Sequence, residues 1–207
     1  MTVDFGSFRL KFGFSFFAVL CLMLLLADGK TALLCFVSSM LHETGHLIFM
    51  KIFSCGVKSV EFGAAGIAIE SRSENTVGYK GEFFIAMGGI TANAIICIVS
   101  LVLFFLLENE IYEVIFFIKV FIAMLNMLPV FPLDFSRAML ALMMSRFDEA
   151  KAEKTVFLIS DIAAVLFTAF CIFYFIFISL NISLAAVCIY LIILNLKRRQ
   201  TDVKQRD

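Results

Sequence analysis

The sequence is poor in several features that soluble proteins use for chemistry. Only 16% of its residues are charged, and Lys plus Arg balance Asp plus Glu at 17 each, so the net charge predicts no nucleic-acid partner. The six cysteines form no Cys-x-x-Cys pair, which argues against a disulfide framework and against a cysteine-based metal site. Proline occurs twice and histidine twice in 207 residues. Any chemistry that depends on either residue type is therefore confined to a few positions.

The sequence is instead rich in apolar residues. They make up 62% of the chain, Phe alone occupies 26 positions, and the mean hydropathy is +1.00, which is too high for an ordinary soluble domain. Long runs with few or no charges predict about six transmembrane helices. These lie at 12–27, 31–53, 83–107, 111–128 and, as two spans divided near 179–183, within 155–196.

The longest segment outside the predicted spans lies between the second and the third. Within it, residues 57–70 alternate partly between apolar and polar types around Gly63 and Gly66, which favours a short β-hairpin over an ordinary loop. The predicted fold class is therefore an all-α polytopic membrane protein with this one hairpin. Residues 1–207 are predicted to form a single transmembrane domain, with no separate soluble domain.

Basic residues concentrate on one side of the predicted spans. Among the connecting segments, the N-terminus, 54–82, 145–154 and the tail after 196 hold nearly all of them, and the opposite side holds only Lys30. Because positively charged connections stay in the cytoplasm, both termini are predicted to be cytoplasmic in a multi-pass protein of the cell membrane. The first span is interpreted as retained, since no Ala-x-Ala-like cleavage site follows it.

Both histidines lie in the second predicted span, in the sequence His42-Glu43-Thr44-Gly45-His46. Residues four apart share one helix face, so both imidazoles can reach one metal ion, and Glu43 is the candidate general base for a water molecule there. A third ligand has to be a carboxylate or a thiolate. Asp134 is the first choice because it follows both prolines at a predicted helix break, and Asp161 is the second.

These residues resemble the site-2 protease family of zinc intramembrane metalloproteases. The likeness rests on His42 to His46 and on 126–134, which reads Asn-Met-Leu-Pro-Val-Phe-Pro-Leu-Asp. It implies one Zn²⁺ per chain, with Asp134 as the third ligand. Gly88, Gly89 and Asn93 are similar to the family's Gly-x-x-x-Asn element. Phe135-Ser136 departs from the family's Gly-Gly. Six spans without an inserted PDZ domain look most like the bacterial sporulation-type branch, which cleaves a membrane-tethered pro-sigma factor.

The leading hypothesis is a zinc-dependent intramembrane endopeptidase. It would cleave a single-span or membrane-tethered protein, such as a transcription-factor precursor or an anti-sigma factor, near the cytoplasmic face, with the bilayer and a membrane regulatory protein as further partners. Asn93, Asn126, Gly88 and Gly89 are candidate substrate contacts, although interhelical hydrogen bonds and close helix packing explain them equally well. Lys119 is expected to snorkel or to pair with a neighbouring span. The alternatives are an inactive relative that binds membrane proteins and a metal or ion transporter.

Overall fold

The computed structural model of the chain describes residues 2–4, 9–14, 21, 28–63, 66–71, 77–178 and 182–204. They contain six helices and four strands. The chain divides into two compact units, Met1–Met124 and Leu125–Asp207. The elements are β1 (Thr2–Asp4), β2 (Arg9–Phe12), α1 (Gly29–Ile52), β3 (Val57–Gly63), β4 (Gly66–Ser71), α2 (Tyr79–Leu107), α3 (Glu110–Asn126), α4 (Asp134–Met144), α5 (Glu149–Phe177) and α6 (Ile182–Lys204).

Within the described residues, three helices are long and apolar enough to cross a membrane: α1, α2 and α5. They match the second, third and fifth predicted spans. Helix α3 has 17 residues, and the apolar part of α6 is limited to Leu184–Asn195. The predicted first span at 12–27 falls almost wholly outside the described residues. Of the predicted division near 179–183, residues 179–181 lie outside them as well, and 182–183 begin α6. Six spans therefore remain a prediction.

The prediction of an all-α fold is wrong in one respect, because the first unit contains a four-stranded sheet in the order β1-β2-β3-β4. The predicted hairpin is confirmed: β3 and β4 pair antiparallel, with Val60 opposite Ile69 and Phe62 opposite Ile67. The first twelve residues contribute β1 and β2, for which the sequence predicted no strand, and β2 runs parallel to β3. The fold is thus mostly helical with a small mixed sheet.

Helices α1 and α2 pack against each other at two small residues. A Cβ built on Gly45 would overlap the Gly88 carbonyl oxygen and would lie 2.7 Å from Ala92 Cβ, and a Cβ on Gly88 would lie 2.7 Å from the Gly45 carbonyl oxygen. Because neither residue has a side chain, the two backbones can approach this closely. The glycines of the histidine motif and of the Gly-Gly pair therefore fix the spacing of the two helices that carry the candidate site.

In the second unit, the segment between α3 and α4 is irregular, as the two prolines predict. Its backbone polar groups are nevertheless used: the Phe131 N–H donates to Ser160 Oγ at 2.8 Å, and the Leu133 N–H donates to the Val130 carbonyl oxygen at 2.9 Å. Val130 is fully buried and packs in a cluster with Ala164 of α5 and Leu191 of α6. These contacts anchor the loop that leads into Asp134.

Candidate metal centre

The two histidines lie on the buried face of α1, as their spacing predicts. His42 and His46 are 5% and 8% exposed, and their ring centroids are 5.0 Å apart in an edge-to-face arrangement. Ser38 and Gly45 are buried on the same helix. Glu43 follows His42 directly and is half-buried. The helix thus presents two imidazoles together, with a carboxylate adjacent to one of them in sequence.

His46 is oriented by a hydrogen bond to α2. Its Nδ1 lies 2.8 Å from the carbonyl oxygen of Ile85. A carbonyl oxygen only accepts hydrogen bonds, so Nδ1 carries the hydrogen and donates it. The lone pair of the neutral ring then lies on Nε2, which is the usual arrangement of a histidine that binds a metal ion through Nε2.

His42 is oriented by Asn93, which is fully buried in α2. Asn93 Nδ2 lies 2.9 Å from His42 Nδ1, and Asn93 Oδ1 lies 3.3 Å from Lys119 Nζ of α3. Lys119 also donates to the Ser38 carbonyl oxygen at 2.6 Å. The lysine is 0% exposed, so the expectation that it snorkels is wrong, and the alternative that it pairs with neighbouring helices is confirmed. An isolated Lys in an apolar run was the only sequence signal for this contact.

Gly89 keeps a space open at the edges of both rings. A Cβ built there would overlap His42 Cε1 and His46 Nε2 and would lie 2.7 Å from His42 Nε2. Any side chain at position 89 would therefore occupy space next to the two Nε2 atoms. Gly88, by contrast, faces the α1 backbone. Gly88 therefore allows close packing of the two helices, whereas Gly89 leaves space beside the histidine rings.

Asp134 is the first residue of α4 and is 7% exposed. The Ser136 hydroxyl donates to the Leu133 carbonyl oxygen at 2.6 Å and is fully buried, whereas Phe135 is 36% exposed. Phe135, which departs from the motif that the sequence resembles, is therefore more exposed than either neighbour, and Asp134 is buried beside it.

Asp134, the third ligand that the resemblance implies, is buried in the second unit, and both histidines are buried in the first. Asp161, the second choice from the sequence, accepts a hydrogen bond from Asn195 Nδ2 at 3.0 Å. Two imidazoles and one carboxylate, all buried, fit zinc, whose catalytic sites commonly use three such ligands and keep one position open. They do not fit Ca²⁺ or Mg²⁺, which take oxygen ligands almost exclusively.

The remaining candidate, Asn126, is the half-buried last residue of α3. The structure does not test a contact between any of the four candidate residues and a substrate. For Asn93, both polar atoms of the amide are used within the protein, which agrees with the interhelical alternative.

No family model and no curated protein matches the chain. Among solved structures, the fold is similar to that of the site-2 protease from Methanocaldococcus jannaschii, with a TM-score of 0.64 over 95% of this chain and 94% of that chain. The sequences are 20% identical. The likeness therefore establishes a shared fold, with the mainly helical architecture described above.

Proposed function

We propose that the chain is a zinc-dependent intramembrane endopeptidase. The observation that carries the proposal is the pair of buried imidazoles of His42 and His46, with Glu43 next to the first, on a helix that is long and apolar enough to cross a membrane. The buried Asp134 of the second unit is the proposed third ligand. Polar side chains placed in such a helix are costly, at about 2.5–3.5 kcal/mol for a charge at the bilayer centre on insertion scales, and usually mark a functional site. The fold shared with a site-2 protease supports the same conclusion.

In this proposal, His42, His46 and Asp134 hold one zinc ion per chain. Zinc bound there supplies a Lewis acid that polarises the scissile carbonyl group and makes a water molecule acidic enough to lose a proton near neutral pH. Gly89 leaves the edges of the two rings accessible. The hydrogen bond from His46 Nδ1 to Ile85 holds that ring in one orientation, so it does not have to reorganise when a ligand arrives.

Glu43 is the proposed general base and acid. It is one residue from His42, and therefore about 100° further around the helix axis, so its carboxylate does not compete for the face that the imidazoles share. It would accept a proton from the attacking water molecule and return that proton to the leaving amine. Its half-buried position is suited to this role, since a partly exposed carboxylate keeps access to water.

The proposed substrate is a single-span or membrane-tethered protein, cleaved near the cytoplasmic face. A peptide bond in a helix is shielded by the hydrogen bonds of that helix, so the substrate has to be extended before it is cut. We propose that an outer strand of the β1-β2-β3-β4 sheet pairs with the extended segment, because edge strands offer free backbone groups. Asn126, at the end of α3, is the better candidate for a substrate backbone contact, since the amide of Asn93 is already engaged.

Several further features belong to the proposal. The protein is proposed to be a multi-pass protein of the cell membrane, with six spans and cytoplasmic termini. Its proposed substrate, as a sporulation-type enzyme, is a pro-sigma factor or a similar tethered regulator. A membrane regulatory protein is proposed to control it. The clustering of basic residues supports the orientation. The order and spacing of the motifs, with six predicted spans and no inserted PDZ domain, support the choice of branch.

Zinc content and cleavage, measured on the purified full-length protein in detergent, test the proposal. A panel of single-span proteins with cytoplasmic domains serves as the substrate. We expect about one zinc per chain, cleavage by the native protein, and loss of cleavage with retained zinc for Glu43→Gln. Glu153→Gln, an exposed residue on α5, is the matched control and should cleave normally.

The outcomes separate the three candidate functions. Bound zinc without cleavage of any panel member would favour an inactive binding protein. Absence of bound zinc would refute the proposed metal centre. Cleavage by Glu43→Gln at the native level would refute the assignment of Glu43 as the general base. Zinc flux into sealed vesicles that contain the protein, in the absence of cleavage, would identify a transporter.

A further inference from the structure

A line of hydrogen bonds links Lys119 to His42 within the first unit. Lys119 Nζ lies 3.3 Å from Asn93 Oδ1, and Asn93 Nδ2 lies 2.9 Å from His42 Nδ1. A second bond, at 2.6 Å from Lys119 Nζ to the Ser38 carbonyl oxygen, holds the ammonium group against α1. Lys119 and Asn93 are both completely buried. The three side chains come from α3, α2 and α1, so the line crosses three helices.

The lysine determines which way the amide of Asn93 faces. An ammonium group has hydrogen-bond donors only, so the Asn93 atom that faces it must be the carbonyl oxygen. The amide NH₂ group then faces His42 and can only donate. His42 Nδ1 therefore has to accept, and in the neutral imidazole the hydrogen lies on the other nitrogen, Nε2.

The two histidine rings are thus held in different tautomers, with the hydrogen on different ring nitrogens. His46 donates from Nδ1 to the Ile85 carbonyl oxygen, which leaves the Nε2 lone pair for a metal ion. At His42, the amide donor occupies the Nδ1 lone pair, and Nε2 carries the hydrogen. His42 can bind a metal ion through Nε2 only after that hydrogen has moved to Nδ1, where it needs an acceptor.

We propose that Lys119 is a positioning residue that, through Asn93, opposes the binding of a divalent metal ion at His42. For Asn93 to accept a hydrogen bond from His42 Nδ1–H, the Asn93 amide has to rotate by half a turn. The Asn93 NH₂ group would then face the Lys119 ammonium group, and two hydrogen-bond donors would meet without an acceptor. A buried positive charge near the site also disfavours a divalent cation. This inference rests on the metal centre of the proposed function, and it makes Lys119 a control on how readily that centre is filled.

Zinc affinity of the full-length protein in detergent, measured by competition with a chromophoric chelator, tests the proposal. Lys119→Met removes the charge at similar length, and Asn93→Asp keeps the shape but lets one carboxylate accept from both Lys119 and His42. We expect each variant to bind zinc at least about tenfold more tightly, within the 10–100-fold range typical of groups that orient a ligating histidine. Lys151→Met, at an exposed lysine, and Ser100→Ala, at a buried hydroxyl that bonds only to its own helix, should leave the affinity unchanged.

A role confined to packing predicts the opposite result. In that case Lys119→Met and Asn93→Asp would both bind zinc more weakly, and the metal-free protein would melt at a lower temperature. Such an outcome would overturn the proposal, and so would unchanged affinity in both variants.

A second measurement does not depend on zinc. The chain has only two histidines, so nitrogen-15 NMR of the ring nitrogens resolves both in the metal-free protein, and His46→Gln assigns them. We expect the hydrogen on Nε2 of His42 and on Nδ1 of His46 in the native sequence, and on Nδ1 of both rings in Asn93→Asp. A hydrogen on His42 Nδ1 in the native protein would refute the inference. If the native protein binds no zinc, the proposed metal centre fails, but the ring measurement still decides the role of Lys119.

Discussion

Replacing Gly89 with alanine is the most direct structural test of the candidate metal centre. The added Cβ would overlap His42 Cε1 and His46 Nε2, and it would lie 2.7 Å from His42 Nε2. Ordinary contacts of a Cβ begin at 3.4 Å, so the His42 ring has to shift by about 0.7 Å to relieve even the mildest of the three contacts. Zinc–nitrogen distances are about 2.0–2.1 Å and tolerate deviations of about 0.2 Å, so a shift of this size prevents both imidazoles from binding one ion.

We therefore expect Gly89→Ala to weaken zinc binding by at least about tenfold, because the histidines can no longer bind together. Overpacking of a buried site costs about 1–3 kcal/mol, so the metal-free protein should also melt at a lower temperature. Chelator competition gives the affinity, and a thermal melt in detergent with a chelator present gives the stability.

Gly29→Ala is the matched control for this substitution. Gly29 is the first residue of α1, and a Cβ there meets nothing within 4 Å. Alanine favours the helix over glycine, so stability should be unchanged or slightly higher and zinc affinity should not move. Zinc binding by Gly89→Ala at the native affinity would refute the assignment of Nε2 atoms to a shared metal position.

Four further substitutions test the rest of the structure. Gly45→Ala places a Cβ against the α2 backbone, which cannot rotate away, and we expect a loss of about 1–3 kcal/mol in thermal melts. Ser160→Ala removes the acceptor of the Phe131 N–H and should cost about 1–3 kcal/mol in the same assay. Asp134→Asn should weaken zinc binding by at least about tenfold, because a neutral amide replaces a ligand carboxylate. Asp161→Asn is the control and should leave zinc affinity unchanged. Equal effects of the two substitutions would contradict the ligand assignment.

The histidine face could be predicted from sequence because it depends on local geometry. Spacing of four residues on a helix fixes the relative position of His42 and His46 whatever the rest of the chain does. The break between α3 and α4 could be predicted for the same reason, since Pro129 and Pro132 cannot continue a helix. The short helix α4 was missed, because its apolar run, 138–144, has only seven residues and lies between the proline segment and a charged segment.

The position of Lys119 could not be predicted, because its partners are distant in sequence. The Ser38 carbonyl oxygen lies 81 residues away and Asn93 lies 26 residues away, so burial depends on how three helices pack. The strands β1 and β2 were missed for a similar reason. They have three and four residues, too few for a recognisable pattern, and β2 is defined by its pairing with β3, in which Arg9 lies opposite Ser59.

The parallel pairing of β2 with β3 has a consequence for the order of assembly during synthesis. β2 precedes α1 and β3 follows it, so β2 can pair with β1 at once but not with β3 until about fifty further residues have left the ribosome. Contacts of such separation form late, because a long loop has to close first. The histidine-bearing helix is therefore made before the β2–β3 pairing, and a fusion that shields the first twelve residues should leave α1 intact while it delays or prevents completion of the sheet.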